Sequence, residues 1–220
     1  MFIPTHEISF PPVELAYKDG LLAIGGDLSI ERLLLAYRNG IFPWFNEDEP
    51  ILWWSPDPRF VLFPNELKLS KSMKAILNKD SFEFSINKAF TEVINNCRSI
   101  PRKGQEGTWI QPSIIKAYSR LFESGYALSA EAWKEGELAG GLYGVLIGKI
   151  FFGESMFTKN ENASKFALYK LIHYLEKKGL ALIDCQVYTP HLESLGARMI
   201  KRKEFIDLVS KLCQEEMDTT

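Results

Sequence analysis

The 220-residue sequence predicts an α/β (α+β) fold: a mixed sheet flanked by helices on both faces, with a small N-terminal domain in front of it. Three observations point there. Ala139–Phe157 (AGGLYGVLIGKIFFGESMF) is apolar at nearly every position and reads as a hairpin, which belongs in the middle of a covered sheet. From residue 64 onward, helical apolar periodicity alternates with short strand-like runs. Before that point, prolines at 43, 50, 56, 58 and 64 exclude long regular elements, and tryptophans 44, 53 and 54 crowd one irregular stretch. The expected domains are therefore 1–63 and 64–220.

Each element has a local reason. Residues 1–20 are extended and marked by proline. Gly25-Gly26 reads as a turn, because the following Asp27 would repel a phosphate at the next helix. Ser29 is a good N-cap, Ile30, Leu33, Leu34 and Tyr37 share a helical face, and Gly40 can close the end. Past the boundary, Ser70 caps a helix to Lys79, Phe82–Ile86 alternates as a strand, and Asn87 is placed to cap a helix bearing Phe90, Val93, Ile94 and Cys97. A polar loop, 98–108, precedes Trp109. Pro112 opens a helix with Ile114, Ile115, Tyr118, Leu121 and Phe122 inward, ended by Gly125. Strands follow at 126–133, 138–145 and 150–157, the last two joined at Leu146–Lys149. Then come a helix over 162–178, a strand over 180–187, a short helix from Pro190 to Leu195, a strand near 198–203 and a last helix after Glu204.

Composition narrows the classes. Hydrophobic residues make up 46% and charged residues 25%, as in a soluble protein with a real core, and the net charge of −2 gives no global basic field. The three cysteines are widely spaced, which argues against a disulfide framework, and no close His/Cys cluster suggests zinc. No run reaches the length of a membrane span and no leader-like segment opens the chain, so a cytoplasmic, reduced protein is expected.

Chemistry is expected at two strand ends. Glu154 directly follows Ile150-Phe151-Phe152, where a carboxylate is costly to bury without a partner or a task; the alternative is a frayed, exposed end. On the strand Leu-Ala-Leu-Ile-Asp184-Cys185-Gln186-Val, Asp184 and Gln186 share a face and Cys185 points the other way, which weighs against an Asp–Cys nucleophile pair. A carboxylate and an amide at the C-terminal end of a central strand stand where such sheets bind ligands, or they satisfy backbone groups there. His191 reads as a cap or loop hydrogen bond, and His173 as packing or surface. The clustered tryptophans either build a small core or line a pocket that stacks planar groups.

The order β-α-α-β-β-β-α-β-α-β is that of acetyltransferase-like folds. Coenzyme A enzymes of that fold grip pyrophosphate on a glycine-rich loop at a helix N-terminus. Here that connection is Thr158-Lys159-Asn160-Glu161-Asn162-Ala163-Ser164, with no glycine and with Glu161 where phosphates would sit, so no cofactor is expected.

Eight runs in order, GLLAIGGDLS, LLLAYRNGIFPWF, WWSPDPR, GTWI, GGLYGV, FFGESMF, NASKFAL and DCQVYTPHLESLGA, resemble the leucyl/phenylalanyl-tRNA–protein transferases over nearly the whole chain. Two departures stand out. Gly125-Tyr126-Ala127-Leu128-Ser129 replaces a run that commonly holds two histidines, and Thr158 replaces a serine; these are expected to tune acceptor or pocket preference. The resemblance implies transfer of Leu or Phe from leucyl- or phenylalanyl-tRNA to proteins with N-terminal Lys or Arg, marking them for N-end rule degradation, without coenzyme A; a monomer is expected. It also implies roles. Asp184 and Gln186 match the proposed catalytic pair, Asp184 polarising Gln186; since an amide is a very weak base, Gln186 is expected to orient the amine and Asp184 to receive or relay its proton. Glu154 matches an active-site acid, Phe151 and Met156 line the side-chain pocket, and Trp44 and Trp109 stack the terminal adenosine. Phosphate contacts are expected among Arg102, Lys103, Lys165, Arg198, Lys201, Arg202 and Lys203. An N-acyltransferase using coenzyme A and a non-catalytic RNA- or peptide-binding module are the rival readings.

Overall fold

The computed structural model describes residues 7–79, 81–100 and 109–217. Near the N-terminus, β1 (Leu21–Ile24), β2 (Phe42–Pro43) and β3 (Leu52–Trp54) form a small antiparallel sheet in the order β1-β3-β2. Between β1 and β2 lies α1 (Ile30–Arg38), begun as expected by Ser29, whose Oγ accepts the Arg32 amide at 3.4 Å. Gly40 follows the helix with φ +67°, the left-handed conformation that glycine adopts freely.

The larger sheet has seven strands in the order β10-β4-β9-β8-β7-β6-β5. They are β4 (Arg59–Leu62), β5 (Glu83–Ile86), β6 (Ala127–Lys134), β7 (Glu137–Ile147), β8 (Ile150–Thr158), β9 (Leu182–Gln186) and β10 (Arg198–Ile200). Every pairing is antiparallel except β8 with β9, which makes the sheet mixed, as predicted. The helices are α2 (Lys71–Asn78), α3 (Phe90–Ser99), α4 (Pro112–Glu123), α5 (Ala163–Glu176), α6 (Pro190–Ser194) and α7 (Arg202–Leu212).

Strand alternation divides the core in two. Val61, Phe152 and Leu182 point to one face, packed with Leu33 of α1, Val93 of α3, Ile114 of α4 and Phe205 of α7. Phe60, Phe151 and Ile183 point to the other, against Met73 of α2 and Phe166 and Leu171 of α5. Each fully buried Leu, Ile or Phe side chain contributes roughly 1.5–3 kcal/mol by leaving water, so both faces need their helices.

Four local expectations change. Arg59–Leu62 was expected to be irregular and in the N-terminal unit, yet it is a strand between β9 and β10 of the larger sheet. Pro58 ends just before it, so the missing proline donor costs the ladder nothing. Asn87 does not cap α3; with φ +60° it accepts the Ser129 amide on Oδ1 at 2.9 Å, and Ala89 holds the cap position. The hairpin turn is tighter than expected: Ile147 pairs with Ile150, leaving Gly148, at φ +54°, and Lys149 to turn. Finally α7 begins at Arg202, so the strand expected near 198–203 stops at Ile200.

Candidate active site

The site lies where two neighbouring strands part. β8 and β9 pair in parallel at Ile150–Leu182, Phe151–Ile183 and Phe152–Asp184, and the ladder ends there. Beyond it the strands diverge, and each carries an irregularity. Tyr143 pairs with Ser155 and Gly144 with Gly153, so Glu154 is an extra residue in β8. Likewise Phe60 pairs with Gln186 and Val61 with Asp184, leaving Cys185 extra in β9. Bulges of this kind turn side chains away from the regular pleat.

Glu154 is buried and collects donors from three elements. Tyr37 of α1 donates to Oε1 at 2.7 Å, Tyr118 of α4 to Oε2 at 3.0 Å, and Gln186 Nε2 to Oε1 at 2.9 Å. The two phenols also hydrogen bond to one another. Burial raises the Glu154 carboxyl to about 7, despite the opposing pull of the Tyr37, Tyr118 and Gln186 donors; nearby Asp184 adds to the rise. Burial likewise raises both phenols well above the usual tyrosine value, with the Glu154 charge reinforcing it.

Asp184 is occupied differently. Arg59 grips it with Nε on Oδ1 at 2.8 Å and Nη2 on Oδ2 at 2.7 Å, and both side chains are buried. The guanidinium sits over the rings of Phe42 and Phe205 and donates Nη1 to the Gly40 carbonyl at 3.1 Å. Oδ1 also accepts the Gln186 amide at 2.9 Å, pinning Gln186 at φ +62°. That left-handed residue aims its side chain across the gap to Glu154. Asp184 thus holds Gln186 through the backbone amide, while the side-chain amide is turned to Glu154.

All seven residues singled out by sequence, Asp184, Gln186, Glu154, Trp44, Trp109, Phe151 and Met156, line one cavity of about 360 Å³. Its inner wall is apolar, with Leu142, Leu168 and Ile183 beside Phe151 and Met156. Trp44 is 40% exposed whereas Trp109 is 7% exposed, so only the first stands at the surface. Cys185 also lines the cavity, and burial pushes its thiol far above the usual range, leaving it protonated and inert.

Other expectations fare unevenly. His191 is no mere cap; the residue lines the cavity and its buried Nε2 has no partner among the described residues. His173 is on the surface, stacked on Tyr169. Tyr126 and Leu128 do not line the cavity: Leu128 packs in the core on the α5 side, so those departures do not reshape the pocket wall directly. Among the expected phosphate contacts, Arg198 is forked onto Glu66 and Arg202 donates to the Ser55 carbonyl at 2.7 Å. Lys201 and Lys203 are exposed; Arg102 and Lys103 lie outside the described residues. Sequence reasoning did not find Arg59, Tyr37 or Tyr118. The phenols had a signal, since two tyrosines on inward helical faces need buried partners and Glu154 needs donors.

Among the described residues no three His, Cys, Asp or Glu side chains are grouped to hold a metal, and no helix is long and apolar enough to cross a membrane.

Comparison with known proteins gives one consistent result. The sequence model described as leucyl/phenylalanyl-tRNA protein transferase matches residues 61–210, and the one for that family's N-terminal domain matches residues 26–57. A leucyl/phenylalanyl-tRNA–protein transferase of Syntrophobacter fumaroxidans is 56% identical over 211 residues, covering 96% of this chain and 90% of that one. The Flavobacterium johnsoniae protein of that name is 56% identical over 209 residues, covering 95% and 99%. The Thiobacillus denitrificans one is 55% identical over 210 residues, covering 94% and 92%. Among solved structures, a GCN5-related N-acetyltransferase-like protein from Streptococcus suis overlaps with a TM-score of 0.39 at 12% identity, over 75% of this chain and 61% of that one, too slight an overlap to bear on function.

Proposed function

The chain belongs to the leucyl/phenylalanyl-tRNA–protein transferase family, and we propose that Glu154, with Gln186, handles the attacking amine while Asp184 serves as its buried anchor. The protein is an aminoacyltransferase, moving an aminoacyl group from tRNA to protein. The reading proposed in finer detail is transfer of Leu or Phe to proteins beginning with Lys or Arg, as a degradation tag, by a cytoplasmic monomer.

The chemistry is aminolysis of an ester. The acceptor nitrogen attacks the ester carbon, a C–N bond forms, the bond from that carbon to the ribose oxygen breaks, and the amine's proton ends on the ribose oxygen. An α-amino group titrates at about 7.7–8.0, so a substantial minority is already neutral near pH 7. What the site must supply is orientation of two substrates and a local carrier for one proton. Glu154 fits the carrier's role, because a carboxyl at about 7 both takes a proton and gives it back near neutral pH. Gln186 spends its Nε2 on Glu154 at 2.9 Å, which leaves its Oε1 to accept from the amine. Asp184 is ill placed to take that proton, since protonating it would leave the buried Arg59 cation without its counter-charge.

The observation supporting this division is the Gln186–Glu154 bond across the strand gap on the wall of an apolar cavity. Leucine and phenylalanine side chains suit that wall, and the thioether of Met156 adapts to either shape. Trp44 at the surface and Trp109 deeper in are suited to the terminal adenosine, by stacking. The small N-terminal domain is proposed to end before Arg59, whose strand belongs to the larger sheet.

The test is transfer of labelled leucine from charged tRNA to a reporter with N-terminal Arg. Wild type is expected to transfer; Glu154→Gln is expected to lose at least a hundredfold in rate with tRNA binding retained, in the range for removing general acid–base catalysis. Full activity in Glu154→Gln would overturn the assignment.

A further inference from the structure

Resting on the site assignment above, we propose that His191 binds the ribose of the tRNA's terminal adenosine, its Nε2 hydrogen bonded to the 2′-hydroxyl beside the reacting ester. Three observations carry this. First, Nε2 is buried and without a partner among the described residues, and His191 is one of the residues lining the same cavity as Glu154 and Gln186. A buried polar atom left unpaired costs about 1–3 kcal/mol, so its persistence on a cavity wall points to a partner that arrives with the substrate.

Second, the ring's anchor is fixed. Pro190 opens α6, and Thr189 Oγ1 accepts the Leu192 amide at 3.2 Å, so the turn bearing His191 is capped directly after β9. Only Val187, Tyr188, Thr189 and Pro190 separate it from Gln186.

Third, the order of groups along the substrate leaves this one for the sugar. The amino-acid side chain takes the apolar wall of Leu142, Phe151, Met156 and Ile183, and the ester carbonyl and incoming amine belong beside Gln186 and Glu154. The next group outward is the ribose, with a hydroxyl vicinal to the ester oxygen. Burial and the nearby positive charge of Lys165 lower the pKa of His191, which favours the neutral ring. A neutral imidazole nitrogen either donates or accepts, according to tautomer, and a hydroxyl satisfies both cases where a carbonyl or an ammonium satisfies only one. The contact would read RNA against DNA at the reacting end, since the 2′-hydroxyl is what distinguishes them.

The experiment uses whole tRNA charged with phenylalanine on its 3′-oxygen, ending in adenosine or in 2′-deoxyadenosine, and a reporter with N-terminal Arg. Wild type, His191→Phe and His191→Ala are compared. Wild type is expected to lose roughly five- to tenfold in kcat/KM on the deoxy substrate, the worth of one neutral hydrogen bond, expressed in KM for tRNA and not for the reporter. Both variants are expected to lose the same factor on the ribose substrate and nothing more on the deoxy one. Wild type indifferent to the 2′-hydroxyl would overturn the contact whether or not either variant folds. So would variant and deoxy losses that multiply independently. No transfer by wild type from either tRNA would bring down the site assignment, and the contact with it.

Discussion

Arg59 and Asp184 meet in a two-pronged bond, 2.8 Å from Nε to Oδ1 and 2.7 Å from Nη2 to Oδ2, with both side chains withdrawn from water. Through Asp184 the same pair reaches the Gln186 amide, and through Nη1 it reaches the end of α1 at Gly40. Breaking it from one side leaves a buried charge unmatched. Arg59→Met is expected to lose about 3–5 kcal/mol in denaturant unfolding, and adding Asp184→Asn is expected to return a good part of that. Additive losses in the double variant would mean the two charges are not coupled.

The raised carboxyl of Glu154 has a thermodynamic consequence. Its pKa is about 7 in the folded chain against a reference of 4.5, so between those values the native state holds a proton that the unfolded chain releases. Stability from this group is therefore fully present below pH 4.5 and is lost as pH rises through 7, a total of roughly 3 kcal/mol. Glu154→Gln does not titrate. Its stability relative to wild type is expected to climb from pH 5 to pH 8, read by chemical unfolding at each pH. A difference that does not vary with pH would show that Glu154 titrates alike in both states.

Activity should follow the same ionisation in the opposite sense. The working form of Glu154 is the carboxylate, so kcat/KM is expected to rise with pH through about 7, with the acceptor amine adding to the rise. Tyr37 donates to Oε1 at 2.7 Å and thereby holds the carboxyl lower than burial alone would. Tyr37→Phe removes that donor, and the rising limb is expected to move to higher pH while the plateau changes less. A limb that stays put would exclude Glu154 as its source.

Gly140, Gly141 and Gly144 of the central hairpin answer to packing, whereas Gly153 lines the cavity. A Cβ on Gly144 would come 2.2 Å from the Phe152 carbonyl and 2.5 Å from the Phe151 ring, which forms part of the cavity wall. Gly144→Ala is expected to cost about 1–3 kcal/mol, as overpacking does, and to raise KM for phenylalanyl-tRNA more than for leucyl-tRNA because the displaced ring narrows the wall. The comparison of both charged tRNAs with the variant decides it.

Much of this was readable because it is local. Ser29, Pro112 and Gly40 mark helix ends by their own chemistry, and the apolar hairpin can only sit inside a sheet. Asp184 and Gln186 stood out as polar residues at the end of an apolar strand, although the bulge at Cys185 and the left-handed Gln186 replace the regular alternation expected there. What escaped reading depends on distant pairing. Arg59–Leu62 becomes a strand only because β9, over a hundred residues on, accepts it in register, and nothing in SPDPRF signals that. The bulge that swings Glu154 inward is a property of the β7–β8 register, not of either strand alone. The meeting of Tyr37 with Tyr118, 81 residues apart, and of both with Glu154, likewise needs the assembled core. His191 looked like a loop residue because only the folded cavity shows that its nitrogen lacks a partner.

The basic residues expected to hold the tRNA body separate into two groups by what they already touch. Arg202 is committed within the protein: its guanidinium donates to the Ser55 carbonyl at 2.7 Å and its amide to Asp57 Oδ1 at 2.9 Å. Arg198 is forked onto Glu66 and lies over the Phe63 ring. Both guanidiniums are therefore partly occupied by the protein's own acceptors. Lys201 and Lys203 are exposed near the start of α7. If they contact the tRNA backbone, each releases counterions, so Lys201→Gln and Lys203→Gln are each expected to lower the slope of log affinity against log salt by about 1. Arg202→Gln is expected instead to weaken folding with the slope unchanged, since the bond it loses, to the Ser55 carbonyl, is the protein's own. Titrations of charged tRNA between about 50 and 200 mM salt measure both. Unaltered slopes in the lysine variants would move the phosphate contacts away from the start of α7.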